Sequence, residues 1–165
     1  MSINVGDKVP SATLKQMTKE GPKDVSTDEL FKGKKVVIFG LPGAFTPTCS
    51  AKHVPGYVTN IDALRAKGVD AVACVSVNDV FVMGAWGKDQ KAEDKVMMLA
   101  DGNGDFAKAI GLVMDGSKFG MGSRSQRYAM VVDDGVVKTL NVEAPGKFDV
   151  SNAETMLGQA QAAKD

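Results

Sequence analysis

The hydrophobic positions of this chain fall into two kinds of run. Lys35-Val36-Val37-Ile38-Phe39 and Val69 to Val77 are almost wholly apolar and rich in β-branched or small residues, as strands covered on both faces are. Val96-Met97-Met98-Leu99-Ala100 reads as a third, shorter strand of this kind, whereas Ala12 to Met17 alternates apolar and polar, the pattern of a strand buried on one face. The second kind of run has helical spacing. Val54, Tyr57, Val58, Ile61 and Leu64 form one apolar stripe, closed by Gly68, with Pro55 predicting a kink or a restart because its ring removes a hydrogen bond. Asn78-Asp79 is placed to cap a helix from Val80 to about Gly87, which carries Phe81, Val82, Ala85 and Trp86.

Boundary signals supply the rest. Ser26-Thr27-Asp28-Glu29 fits a capping box opening a short helix through Leu30 and Phe31, and Gly33 ends it. Ser151-Asn152-Ala153-Glu154 fits a second box, opening the last helix. Gly21-Pro22 and Asp101-Gly102-Asn103-Gly104 are turn signals, the latter followed by a short helix to Ile110. Lys88 to Lys95 reads as a charged loop and 115–123 as a glycine-rich one. Asp133-Asp134-Gly135 between Arg127–Val132 and Val136–Val142 is a hairpin signal. The order is strand, helix, strand, helix, strand, helix, hairpin, helix. Early βαβ units imply a parallel pair and the late hairpin adds antiparallel strands. The expectation is an α/β fold with a mixed central sheet and helices on both faces, in a single domain over residues 1–165.

Composition narrows the function classes. Twenty basic and twenty acidic residues cancel among 165, so nothing favours nucleic acid or an anionic membrane as partner. No run is long and apolar enough for a membrane span, and the start, Met1-Ser2-Ile3-Asn4-Val5-Gly6-Asp7, lacks the basic and apolar regions of a secretory signal. Two cysteines do not make a disulfide framework. These readings lead us to expect a cytoplasmic protein with reduced thiols.

The candidate chemistry sits where the 35–40 strand hands over to a helix, in Leu41-Pro42-Gly43-Ala44-Phe45-Thr46-Pro47-Thr48-Cys49-Ser50-Ala51-Lys52-His53. The carboxyl end of such a strand is where α/β folds place active sites. Thr46 and Thr48 both suit an N-cap, and either puts Cys49 in the first turn, where free N–H groups and the helix dipole favour a thiolate. A thiolate is a nucleophile. Set against this, a free cysteine is often only a small buried apolar residue. Cys74, inside Val72-Ala73-Cys74-Val75, fits that description better. His53 is four residues past Cys49 and on the same helical face. It is the only histidine, no C-x-x-C exists, and packing or a backbone hydrogen bond suits it better than a metal site or acyl transfer.

Pro42-x-x-x-Thr46-x-x-Cys49 matches the P-x-x-x-T-x-x-C motif of the peroxiredoxins, and the run from Gly40 to Gly56 resembles their type II, or five-like, branch. The resemblance continues through Ser76 to Trp86, Leu99-Ala100-Asp101-Gly102 and Ser123-Arg124-Ser125-Gln126-Arg127-Tyr128, covering nearly the whole chain. It implies a thioredoxin-like fold and reduction of hydrogen peroxide or organic hydroperoxides by a peroxidatic cysteine, a role that falls on Cys49. It also implies supporting roles for Thr46, Arg127 and Pro42, and a homodimer. The chemistry suits these residue types. Arginine brings fixed donors and a permanent charge to a leaving oxygen. Thr46 Oγ is expected to accept from the peroxide and pass a hydrogen bond to the sulfur. Pro42 walls the pocket without an N–H of its own. No metal or organic cofactor is called for.

The immediate product is a sulfenic acid that a second thiol must resolve. Plant-like members of the branch carry a second cysteine at a spacing similar to Cys74, and others carry one near the chain's end, where this chain has Ser151 and no cysteine. The expected reductant is therefore external, either glutathione with glutaredoxin or a thioredoxin. Two readings compete with a peroxidase: a redox-sensing or chaperone-like module relaying oxidation to a partner protein, and a cysteine hydrolase built on Cys49 and His53. Of the two arginines, Arg124 is expected to order a loop or lie at the surface, because residues three apart on a strand point to opposite faces.

Overall fold

The computed structural model describes residues 2–162. Seven strands form one sheet in the order β2-β1-β5-β4-β3-β8-β9. Its middle is a parallel trio: β3 (Lys35–Leu41) is parallel to the central strand β4 (Ala71–Ser76), which is in turn parallel to β5 (Met97–Ala100). β8 (Tyr128–Asp133) and β9 (Val136–Val142) add an antiparallel hairpin beyond β3, and β1 (Thr13–Thr18) and β2 (Gly21–Ser26) add another beyond β5. A separate small ladder pairs β6 (Val113–Asp115) with β7 (Ser123–Ser125).

Every residue of β3 is buried, Lys35 included, which is why the sequence after Lys35 reads as an apolar run. Successive side chains go to opposite faces. Val37, Phe39 and Leu41 join Val72 and Cys74 in one core, and Val36 and Ile38 join Ala73 and Val75 in the other. The first core is roofed by α2 (Val54–Thr59), α3 (Ile61–Ala66), α4 (Val80–Asp89) and α6 (Ala153–Ala162). The second is roofed by α1 (Thr27–Phe31) and α5 (Asp105–Ile110). The expected mixed sheet with helices on both faces is therefore what forms. Among the described residues no helix is long and apolar enough to cross a membrane.

Two caps follow the expected chemistry. The Ser26 side chain accepts from the Glu29 amide at the start of α1, and Asp79 accepts from the Val82 amide at the start of α4. Other expectations are corrected. β2 begins at the Gly21-Pro22 turn signal, where no strand is expected. The 115–123 loop is bracketed by β6 and β7 and holds a short 3-10 turn. At α6 it is Asn152 whose side chain accepts from the Thr155 amide, 2.8 Å away. The Ser151 hydroxyl is turned away toward Glu143, so the capping box read at Ser151 does not form.

Candidate active site

The chain leaves β3 at Leu41 and must reverse before the next helix. Ala44 N donates to Asn78 Oδ1 at 2.9 Å, and Arg124 spans back from β7, donating to the carbonyls of Met121 (2.9 Å) and Pro42 (3.4 Å). Phe45 adopts φ +63°, a left-handed conformation uncommon for a bulky residue and typical of functional turns. The Thr46 hydroxyl donates to the Gly43 carbonyl at 2.7 Å. Its proton is thus committed to the turn, and no hydrogen bond joins Thr46 to Cys49 among the described residues, in contrast to the relay expected from the sequence. Thr48 makes no side-chain cap. The helical backbone starts at Pro47, a position proline suits because the first N–H has no partner in any case.

Cys49 lies in this first turn, but the turn is not α-helical. Cys49–His53 is a π turn, closed by Val54 N donating to the Cys49 carbonyl. Such wide turns are rare and concentrate at functional sites. Pro55 follows directly, in the first turn of α2, so the proline meets a helix restart as expected. Both Cys49 and His53 are fully buried. Cys49 packs into the first core, while Pro42, Thr46 and Arg127 stay half-buried.

Arg127 occupies the two-residue link between β7 and β8, one residue before the strand predicted to contain it. From there Nη2 donates to Cys49 Sγ at 3.3 Å and Nη1 donates to His53 Nδ1 at 2.8 Å. With Nδ1 accepting, the imidazole proton sits on Nε2, which donates to the Ser151 carbonyl at 3.1 Å. Tyr57 Oη donates to the same carbonyl at 2.8 Å. Burial first, and the Arg127 charge second, hold the His53 pKa down to about 3, so the ring is neutral. Phe39 stacks on Tyr57 with ring centroids 4.0 Å apart. Phe148 meets the His53 ring edge-on at 4.9 Å, and the Arg127 guanidinium lies 5.8 Å from its centroid.

The structure thus brings Cys49 and Arg127 together and sets Pro42 and Thr46 in the turn that precedes them. Arg124 reaches that turn and not the sulfur. Three participants are invisible to sequence reasoning: His53 as a ligand of Arg127, the Ser151 carbonyl, and Phe148. The four-residue spacing of Cys49 and His53 was the only available signal. Cys74 sits in β4 opposite Phe39, wholly buried, and burial pushes its thiol pKa well above the ordinary value. Both cysteines are free. His53 faces Arg127 instead of the sulfur and resists protonation, so it is a poor general base for acyl transfer. No group of three metal-ligating side chains exists among the described residues.

A sulfur at a helix start, paired with a guanidinium and shielded from bulk water, is equipped to act as a thiolate nucleophile toward small electrophiles. Comparison with known proteins gives the family. Residues 4–157 match the redoxin family. Chloroplastic peroxiredoxin-2E of Arabidopsis thaliana is 52% identical over 160 residues, covering 94% of this chain and 68% of that protein. The crystal structure of reduced Prx3 from Vibrio vulnificus in complex with hydrogen peroxide is 60% identical, with a TM-score of 0.92 over 96% of this chain and 99% of that one. Peroxiredoxin 5 from Alvinella pompejana is 35% identical, with a TM-score of 0.86 over 97% of this chain and 99% of that one. The mixed sheet is thus the thioredoxin-like fold of these proteins.

Proposed function

The chain belongs to the peroxiredoxins of the redoxin family and is a thiol peroxidase, and from that premise we propose that Cys49 is its peroxidatic sulfur. The observation that carries this reading is the 3.3 Å hydrogen bond from Arg127 Nη2 to Cys49 Sγ in the first turn of a helix. The thiolate attacks one oxygen of the peroxide. An S–O bond forms, the O–O bond breaks, and the departing oxygen takes a proton to leave as water or an alcohol. Arg127 is the fixed donor beside the sulfur, able to offset charge on that departing oxygen without reorganising. Pro42 and Thr46, in the turn that precedes Cys49, are the residues assigned to wall the pocket, proline bringing no N–H of its own. The Thr46 hydroxyl, its proton given to Gly43, retains lone pairs to accept from a peroxide O–H.

The resulting sulfenic acid must be resolved by a thiol. Cys74 lies at the centre of the sheet, protonated and without solvent access, which disfavours it as a resolving nucleophile. An external thiol, either glutathione with glutaredoxin or a thioredoxin, condenses with the sulfenic acid to a mixed disulfide and water, and a second thiol releases Cys49. Because Cys49 is wholly buried, a reductant reaches it only when the 46–53 segment opens. Two further parts of the reading are assembly as a homodimer, supported by the exposed rings of Phe45, Phe81 and Phe119, and a reducing, cytoplasmic location, supported by two free thiols.

Mass spectrometry after one equivalent of peroxide, with and without glutathione, tests the scheme. A sulfenic acid at Cys49 that becomes a glutathione adduct is expected. An intramolecular Cys49–Cys74 disulfide would replace the external reductant with an internal one. Cys49→Ser should abolish peroxide consumption while Cys74→Ser leaves it intact; turnover by Cys49→Ser refutes the assignment. A mixed disulfide with one partner protein, coupled to slow turnover with every small reductant, would favour the redox-relay alternative.

A further inference from the structure

Glu143 follows β9 directly, and its amide donates to the Arg127 carbonyl at 2.9 Å. The residue as a whole is only 7% exposed, yet its carboxylate pairs with no cation among the described residues. It accepts instead from the amides of Asp149 (2.9 Å), Val150 (2.9 Å) and Ser151 (2.8 Å), and from the Ser151 hydroxyl at 2.7 Å. Burial opposes its charge, but these donors outweigh burial and hold its pKa below the ordinary carboxylate value. A buried charge is costly unless fully hydrogen-bonded, and charge-assisted bonds of this kind are the strong ones. Besides Glu143, this segment is held by the His53 and Tyr57 donors to the Ser151 carbonyl and by Asn152 Nδ2 donating to the Asp149 carbonyl. Residues 143–152 carry no helix or strand, and their other ties include Lys147 N to the Ala144 carbonyl and Asn141 Nδ2 to the Val150 carbonyl.

That segment supplies the Ser151 carbonyl that fixes His53 and the Phe148 ring that meets both His53 and Arg127. We propose that Glu143 is a positioning residue for the peroxidase reaction: it holds the 149–151 turn, through which the Ser151 carbonyl sets His53 and His53 sets the Arg127 fork on Cys49. The proposal rests on the reading of Cys49 as the reacting sulfur. Glu143 touches no reacting atom, and its effect on the sulfur has a sign that separates positioning from simple charge. The ionisable groups around Cys49 are Arg127 from the β7–β8 link, His53 from its own turn and Cys74 from β4. Removing a nearby negative charge by itself favours a thiolate. Releasing Arg127 from its hold does the opposite.

Glu143→Gln is therefore read in two ways, after circular dichroism shows it folded. Expected is a fall in kcat/KM for hydrogen peroxide of roughly tenfold or more, the scale on which small misplacements of a catalytic group act. Also expected is a shift to higher pH in the midpoint for alkylation of Cys49 by iodoacetamide, followed at the Cys49 peptide. In a His53→Ala background the same substitution should change kcat/KM by less than about twofold, because the path it acts through is already cut. An unchanged or lower alkylation midpoint overturns the proposal, as does a rate loss that persists undiminished in the His53→Ala background. Should Glu143→Gln not fold, Glu143→Asp, which keeps the charge but not the reach, is read by the same alkylation midpoint and the same criteria. Turnover by Cys49→Ser would refute the assignment of the sulfur, while the alkylation midpoint would still decide the role of Glu143.

Discussion

Arg127 divides its guanidinium between Cys49 and His53, giving Nη2 to the sulfur at 3.3 Å and Nη1 to the imidazole Nδ1 at 2.8 Å. The two bonds diverge from one rigid plane, so the neutral histidine fixes the angle at which the charge meets the thiol. A lysine has one charged atom and cannot hold both partners in that geometry. Arg127→Lys should therefore lower kcat/KM for peroxide by about 10²–10³-fold, the usual loss when one preorganised donor is removed, with far-UV circular dichroism unchanged. Near-wild-type turnover would mean that charge alone suffices.

His53 makes stability depend on pH in a defined window. Its pKa is about 3 in the folded chain against about 6.5 in an unfolded one. Below about pH 6.5 the unfolded chain binds a proton that the folded chain refuses, so acidification removes stability until the folded value is reached. The slope from this one group is at most about 1.4 kcal/mol per pH unit, and it vanishes above the unfolded value. Urea unfolding midpoints between about pH 5 and 6.5, where most carboxylates are already ionised in both states, should fall with acid in the wild type and hardly change in His53→Asn.

Trp86 is the sole tryptophan of the chain and is wholly buried, its indole N–H donating to the Ser50 hydroxyl at 3.0 Å. Ser50 is the residue after Cys49, so opening the π turn must break this bond. Trp86 emission should shift to the red when Cys49 carries a glutathione adduct. Emission that stays constant while mass spectrometry shows the adduct would mean that the thiol is reached without opening. Ser50→Ala, which strands a buried donor, should lower stability by about 1–3 kcal/mol.

Gly40 and Tyr128 are paired across β3 and β8, and a Cβ on Gly40 would lie 2.2 Å from Tyr128 Cε1. Gly40→Ala should destabilise by about 1–3 kcal/mol or more through overpacking. Tyr128 Oη is buried without a hydrogen-bonding partner among the described residues. Tyr128→Phe should thus be neutral or stabilising by about 1 kcal/mol. Thermal melts of both variants check the pair, and a large loss in Tyr128→Phe would reveal an unseen partner for the hydroxyl.

The sheet centre and the position of Cys49 at a helix start were legible because their determinants are local. An unbroken apolar run such as 36–39 has few alternatives to a fully buried strand, and Asp79 can serve only the helix it precedes. β2 was hidden because Pro22-Lys23-Asp24 is polar and proline-bearing, features that an edge strand tolerates and a central one does not. β6 and β7 are three residues each, too short for alternation to register. The network behind Arg127 was illegible for a different reason. His53 and Ser151 are 98 residues apart, and nothing near either one names the other. The box at Ser151 misled because a tertiary partner, Glu143, took the hydroxyl that local pattern assigned to the helix.

The placement of Cys74 opposite Phe39, in the middle of the parallel pair, gives the molecule a record of its own history. The sulfur at the rim can be exposed by unpeeling a single turn, but the one in the sheet can meet an oxidant only when strands part. Any sulfinic or sulfonic acid found there reports how often whole chains have come undone, whatever the oxidative load borne at the rim.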